Sequence, residues 1–195
     1  KPCGGGVSPQ VAEWFDFSFE PVISAKVTRV RFTFRHEDPV EADLGTREPL
    51  WMVRRALFDH FLVTRAVEAG ANLFAPCAVR GVSRTGEGWT LETEEGPVTA
   101  RFLVGADGAL GPCARWLGFR RRMRRVAGAL EGESPRPPKD PTLVHFDFGS
   151  VQGGYQWNFP KANGESIGSG VFLGSENRDL KARYEAYAAS FGLQA

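Results

Sequence analysis

The stretch 102–108, Phe102-Leu103-Val104-Gly105-Ala106-Asp107-Gly108, decides how the rest of the chain is read. Three apolar residues run into a glycine-lined turn that carries one carboxylate, and a helix is expected over 112–118. The pattern predicts a buried strand that ends in a turn. In an open α/β sheet the carboxyl ends of the strands are where ligands sit. Glycines there let a ligand approach the backbone, and Asp107 could accept hydrogen bonds from ribose or polyol hydroxyls. By its own residues the stretch is equally an ordinary strand–turn–helix corner, so its neighbours must decide.

Upstream of it, a β-meander is expected over 78–84, 89–94 and 98–104, with turns at Gly86-Glu87-Gly88 and Glu95-Gly96-Pro97. Before the meander, 54–69 has Leu57, Phe58, Phe61, Leu62, Ala66 and Val67 at helical spacing, closed by Gly70. Asn72 to Phe74 resembles the start of a parallel strand. Further back, 49–53 is a short apolar strand and 37–46 a polar connection. The run 26–34, KVTRVRFTF, alternates as one strand with Val30, Phe32 and Phe34 on its apolar face. Residues 9–15 have helix-like spacing, with Ser8 and Pro9 as cap and first position. The chain opens on KPCGGGVS, which is either a flexible terminus or a loop lying flat against a ligand with Cys3 beside it. Lys1 stands where no initiator methionine precedes it, so a piece of a longer chain is expected.

Downstream, residues 120–125 hold five arginines in six positions, a solvated face or a contact with phosphates or lipid head groups. Residues 131–141 form a proline-rich charged loop. Strands are expected over 142–148, 154–159 and 166–172, and a last helix over 178–191. On the middle strand Tyr155, Trp157 and Phe159 share one face, as a core layer or the wall of an apolar pocket.

Composition bounds the alternatives. The 195 residues are 42% hydrophobic and 24% charged, with a formal net charge of +1, which gives no general argument for nucleic acid. No apolar run approaches a spanning helix, and no signal peptide is visible. Three widely spaced cysteines, Cys3, Cys77 and Cys113, suggest neither a disulfide framework nor a metal site and suit a reducing cytoplasm. With three histidines and no ligand cluster, no metal is expected.

KPCGGGVSP at the start, RRALFD at 54–59, VGADG at 104–108 and GYQWNFPK at 154–161, in this order, resemble the geranylgeranyl reductase family. That family belongs to the FAD-dependent oxidoreductases of the p-hydroxybenzoate hydroxylase-like group. The resemblance implies an α/β fold: part of a Rossmann-like FAD-binding domain, with mixed sheet and meander, beside an antiparallel-sheet substrate domain. It implies the first domain at 1–25 and 49–118 and the second at 26–48 and 119–195. The group's GxGxxG phosphate loop would lie upstream of Lys1 and a later Gly-Asp motif beyond Ala195, so a fragment of a longer enzyme is expected. Leu110 and Gly111 stand where an arginine and a serine are common in the group.

By the same resemblance, Pro2, Cys3, Gly4, Gly5, Arg55, Gly105, Asp107 and Gly108 would contact FAD. Tyr155, Trp157, Phe159 and Pro160 would border the cavity for an isoprenoid or lipid-like substrate. Cys3 is one candidate proton donor and Tyr155 the other. The implied activity is flavin-dependent reduction of isoprenoid double bonds, with NADPH or another reductant as electron source. Two other readings stay open: an FAD-dependent aromatic monooxygenase, and a non-catalytic prenyl- or lipid-binding module. A membrane-borne substrate and the arginine run together suggest peripheral membrane contact of a cytoplasmic protein.

Overall fold

The computed structural model describes residues 3–108, 110–119, 127–172 and 179–193. Pro2 and the arginine run 120–125 lie outside the described residues. The elements are β1 (Gly6–Val7), β2 (Ile23–Val27), β3 (Arg29–Phe34), β4 (Glu37–Asp43), β5 (Leu50–Val53), α1 (Arg55–Glu68), β6 (Val79–Thr85), β7 (Gly88–Thr93), β8 (Gly96–Ala100), α2 (Cys113–Trp116), β9 (Ala127–Ser134), β10 (Leu143–Phe148), β11 (Gly154–Lys161), β12 (Gly164–Phe172) and α3 (Leu180–Ser190). They form a mixed α/β fold in two compact units, Lys1–Glu68 with Arg125–Ala195, and Ala69–Arg124. Among the described residues no helix is long and apolar enough to cross a membrane.

The first unit holds a three-stranded sheet, β1-β5-β2, and a six-stranded sheet, β4-β3-β10-β11-β12-β9. Its pairings are antiparallel except β3 with β10, which run parallel with Val30 beside Val144 and Phe32 beside Phe146. The sheets share a core of Val27, Val30, Met52 and Val144. A second cluster, Phe19, Val53 and Phe58, joins α1 to the small sheet. A third, Ile167, Tyr187 and Ala188, seats α3 on the large one.

Residues 26–34 are not one strand. The chain leaves the small sheet at Val27 and enters the large one at Arg29, and Thr28 bonds through its backbone to Thr142 and Leu44. That step buries both Val27 and Val30, which simple alternation puts on opposite faces. Phe32 and Phe34 share Val30's face yet stay exposed, because there the sheet is only partly covered. The polar connection expected at 37–46 contains β4, an edge strand exposed at every position and holding Pro39, as an edge strand can. Residues 131–134 belong to β9 rather than to a loop; β9 is the opposite edge, and Glu131 points inward to accept a hydrogen bond from the Ser166 hydroxyl. The first helical segment, Pro9–Trp14, is a 3-10 helix, with Ser8 Oγ accepting from the Gln10 N–H at 3.4 Å as its cap. Helix α1 stands where its spacing put it, but Leu57 and Val67 face outward.

In the second unit the meander forms as an antiparallel sheet, β6-β7-β8. Two expectations fail there. Residues 72–74 are not a strand, and Leu73 and Phe74 are both exposed. Nor is 102–104: Phe102 is 74% and Val104 85% exposed. A parallel strand is held by neighbours on both sides, and among the described residues none pairs with this segment.

Candidate functional site

Alternation along β11 places Tyr155, Trp157, Phe159 and Lys161 on one face of the large sheet. The three rings form a ladder, with centroids 5.7 Å apart for Tyr155–Trp157 and 6.3 Å for Trp157–Phe159. Phe146 and Phe148 on β10 and Phe32 on β3 widen it into an aromatic surface, Phe146 meeting Phe159 edge to face at 5.2 Å. Trp157 lies flat over β12, where a Cβ at Gly168 would come within 2.0 Å of its indole. Pro160 points to the other face and is buried, so it borders this surface only through the backbone.

The loop Cys3–Gly5 lies across the end of this ladder. A Cβ on Gly4 would sit 2.7 Å from the Phe159 ring and 3.3 Å from Trp157 Nε1. Gly5 has φ +74°, and a Cβ there would come 2.0 Å from Val53 O, so the loop closes onto β5 only with glycine at this position. The Val53 N–H donates to Gly5 O at 2.8 Å. Lys161 completes the joint: it is 1% exposed, and Nζ donates to Gly4 O at 2.5 Å and to Val53 O at 2.8 Å. Burial lowers its pKa from 10.5 to about 8, against the opposing charges of Glu133 and Glu131. Burial also raises the Glu131 carboxyl above its ordinary range.

Arg55, at the start of α1, grips Asp59 with two bonds of 2.7 and 2.9 Å, and the Cys3 side chain lies close enough to act on its guanidinium. These contacts hold its guanidinium well above its already high pKa, Asp59 contributing most. Within the first unit, Cys3, Gly4, Gly5 and Arg55 thus gather at the Phe159–Trp157 end of the ladder, and Tyr155 stands at its other end beside Trp157. Lys161 belongs with them and was missed, because a lysine closing a strand reads as a solvated end.

In the second unit Gly105, Asp107 and Gly108 lie on an exposed turn. Asp107 Oδ2 accepts from the Cys113 N–H at 2.7 Å, which fixes the carboxylate's orientation. Gly108, at φ +81°, has open space where a Cβ would be.

FAD is the group the resemblance implies, and two features fit it. The turn offers an oriented, accessible carboxylate to hydroxyl donors. In the first unit Trp157 Nε1 is a buried donor without a partner among the described residues, beside Gly4, where a ligand acceptor would satisfy it.

The opposite face of the large sheet carries a second polar group. Thr33 donates to Asp147 Oδ1 at 2.7 Å, so its oxygen accepts from His145 Nε2 at 3.0 Å, and His145 Nδ1 accepts from the Tyr187 hydroxyl at 3.0 Å. This neutral tautomer agrees with a His145 pKa lowered by burial to about 4. A cavity of about 840 Å³ opens there, lined by Arg31, His145, Asn158 and Tyr187 among others. Arg29 is paired with Asp140 and Arg31 with Glu41, so charged groups that already satisfy one another line it, unlike the aromatic surface behind.

No family model matches the chain. The digeranylgeranylglycerophospholipid reductase 1 of Methanopyrus kandleri is 34% identical over 190 residues, 91% of this chain and 49% of that protein. The digeranylgeranylglycerophospholipid reductase of Methanocaldococcus jannaschii is 28% identical over 150 residues, 72% of this chain and 37% of that protein. The chain therefore spans about half or less of the curated relatives it matches. In fold it is similar to a geranylgeranyl bacteriochlorophyll reductase-like protein of Thermoplasma acidophilum, with TM-score 0.82 and 22% identity over 97% of this chain and 52% of that one.

Proposed function

Since the chain belongs to the geranylgeranyl reductase family, we propose that it is part of a flavoenzyme that saturates double bonds of an isoprenoid or lipid-like substrate. The observation that carries this reading is the meeting of Cys3 and Arg55 with the aromatic ladder of β11. A hydrogenation needs a greasy surface to align the alkene and a proton donor at its edge, with water kept away. Bound flavin in its reduced form supplies the hydride. Tyr155, Trp157 and Phe159 would align the prenyl chain, and the buried Trp157 N–H would orient an acceptor on the bound ligand. Cys3 would hold the proton that the second alkene carbon takes up as the π bond opens. Arg55, fixed by Asp59, would compensate the charge left on Sγ until solvent returns the proton. Taken by itself, the second unit would offer Asp107 and the backbone of Gly105 and Gly108 to hydroxyls of a flavin's polyol chain.

The test is anaerobic turnover of a geranylgeranyl lipid by the FAD-loaded protein, with saturation followed by mass spectrometry. Cys3→Ser is expected to slow saturation by about 10²- to 10⁴-fold, the usual span for loss of a general acid. Unchanged turnover would transfer the proton to another group, Tyr155 first. Oxygen uptake with hydroxylation of an aromatic, and no anaerobic saturation, would replace the reductase by a monooxygenase. Prenyl binding by a colourless protein would leave a carrier.

A further inference from the structure

We propose that Lys161 is a positioning residue whose ammonium clamps the loop Cys3–Gly5 to the end of β5 and thereby sets the Cys3 thiol beside Arg55. The inference rests on the part given to Cys3 above and goes beyond it, because Lys161 itself touches no reacting atom.

Lysine is almost never fully buried unless it is paired. Here the pairing is with backbone, Gly4 O on the loop and Val53 O on β5. Both carbonyls adjoin residues of the candidate site: Gly4 follows Cys3, and Val53 is two residues before Arg55. One ammonium therefore fixes, at the same time, the strand of chain that carries the sulfur and the strand that leads into the guanidinium. The joint has no slack, since a Cβ on Gly5 would lie 2.6 Å from Nζ and 2.0 Å from Val53 O. An apolar side chain of similar length would fill the space at less desolvation cost. It would remove the bonds from Nζ to both carbonyls and leave the loop tied down by the Val53–Gly5 backbone bond. Glu131 and Glu133 on β9 and Arg54 are the other charged groups acting on the ammonium; the two carboxylates favour it and Arg54 opposes it.

The experiment compares the protein carrying FAD with its Lys161→Met variant, following alkylation of each cysteine by iodoacetamide at peptide resolution. Cys77, in the second unit, and buried Cys113 serve as internal references. Loss of the clamp is expected to speed alkylation of Cys3 by about tenfold or more while the references change by less than about twofold. In turnover the same variant is expected to lower kcat with little change in KM. An unchanged Cys3 rate overturns the clamp, and so does a parallel rise at all three cysteines, which means general loosening. Should Lys161→Met not fold, Gly5→Ala attacks the same joint from the loop side and is expected to give the same selective rise. A wild-type Cys3 rate in Gly5→Ala overturns the clamp equally. Selective exposure of Cys3 with unaltered kcat upholds the clamp and overturns the proton-donor role of Cys3.

Discussion

Lys161 ties the site to pH. With its pKa at about 8 in the folded chain and 10.5 ordinarily, the amine is charged in both states below pH 8, and folding there carries the full cost of burying a cation. Between those values the unfolded chain holds a proton that the folded chain does not. Linkage then requires stability to rise with pH, at up to about 1.4 kcal/mol per unit. Urea unfolding from pH 7.5 to 10 should therefore show wild type gaining on Lys161→Met across the range. A pH-independent difference would show that the ammonium is not desolvated. The neutral amine keeps two N–H donors, so both carbonyl bonds survive the titration. Little of this was legible in the sequence: nothing in Phe159-Pro160-Lys161 announces that the lysine turns inward, because its partners are backbone carbonyls more than a hundred positions away.

At the scale of elements, strands with turns or alternation to mark them could be read directly. The meander announced itself through Gly86-Glu87-Gly88 and Glu95-Gly96-Pro97, and the three aromatics of β11 share a face as their spacing requires. Edge strands could not be read that way. β4 has no buried side to print a pattern, and β9 carries carboxylates where an apolar residue would be expected. The apolar run at 102–104 misled for the opposite reason, since hydrophobicity alone does not create pairing partners. What seats Trp157 is also invisible in one dimension. It needs Gly168 across the ladder, a relation that only the β11–β12 register supplies. Gly168→Ala should cost about 1–3 kcal/mol by overpacking, read as a lower urea midpoint at constant slope. An unchanged midpoint would mean that the indole can move aside.

At the scale of the whole molecule, stability should be uneven. The large sheet has paired neighbours and a buried middle, whereas 102–108 lies exposed beside the meander. Amide exchange is expected to be slow in β11 and β12 and fast at 102–108. Saturating FAD should slow exchange at 102–108 by about tenfold or more if this turn holds the cofactor. Protection confined to the first unit would remove Asp107 from the cofactor's contacts.

The parallel pairing of β3 with β10 brings Thr33 against Asp147, 114 positions further along. During synthesis β3 must therefore wait while the whole second unit emerges from the ribosome and can fold ahead of it. Contact order this high makes closure of the six-stranded sheet a late and slow event. A nascent chain stopped before residue 143 would leave β3, with Phe32 and Phe34, paired to β4 alone and open along the edge that β10 covers, the kind of edge that chaperones recognise and that aggregates when they do not.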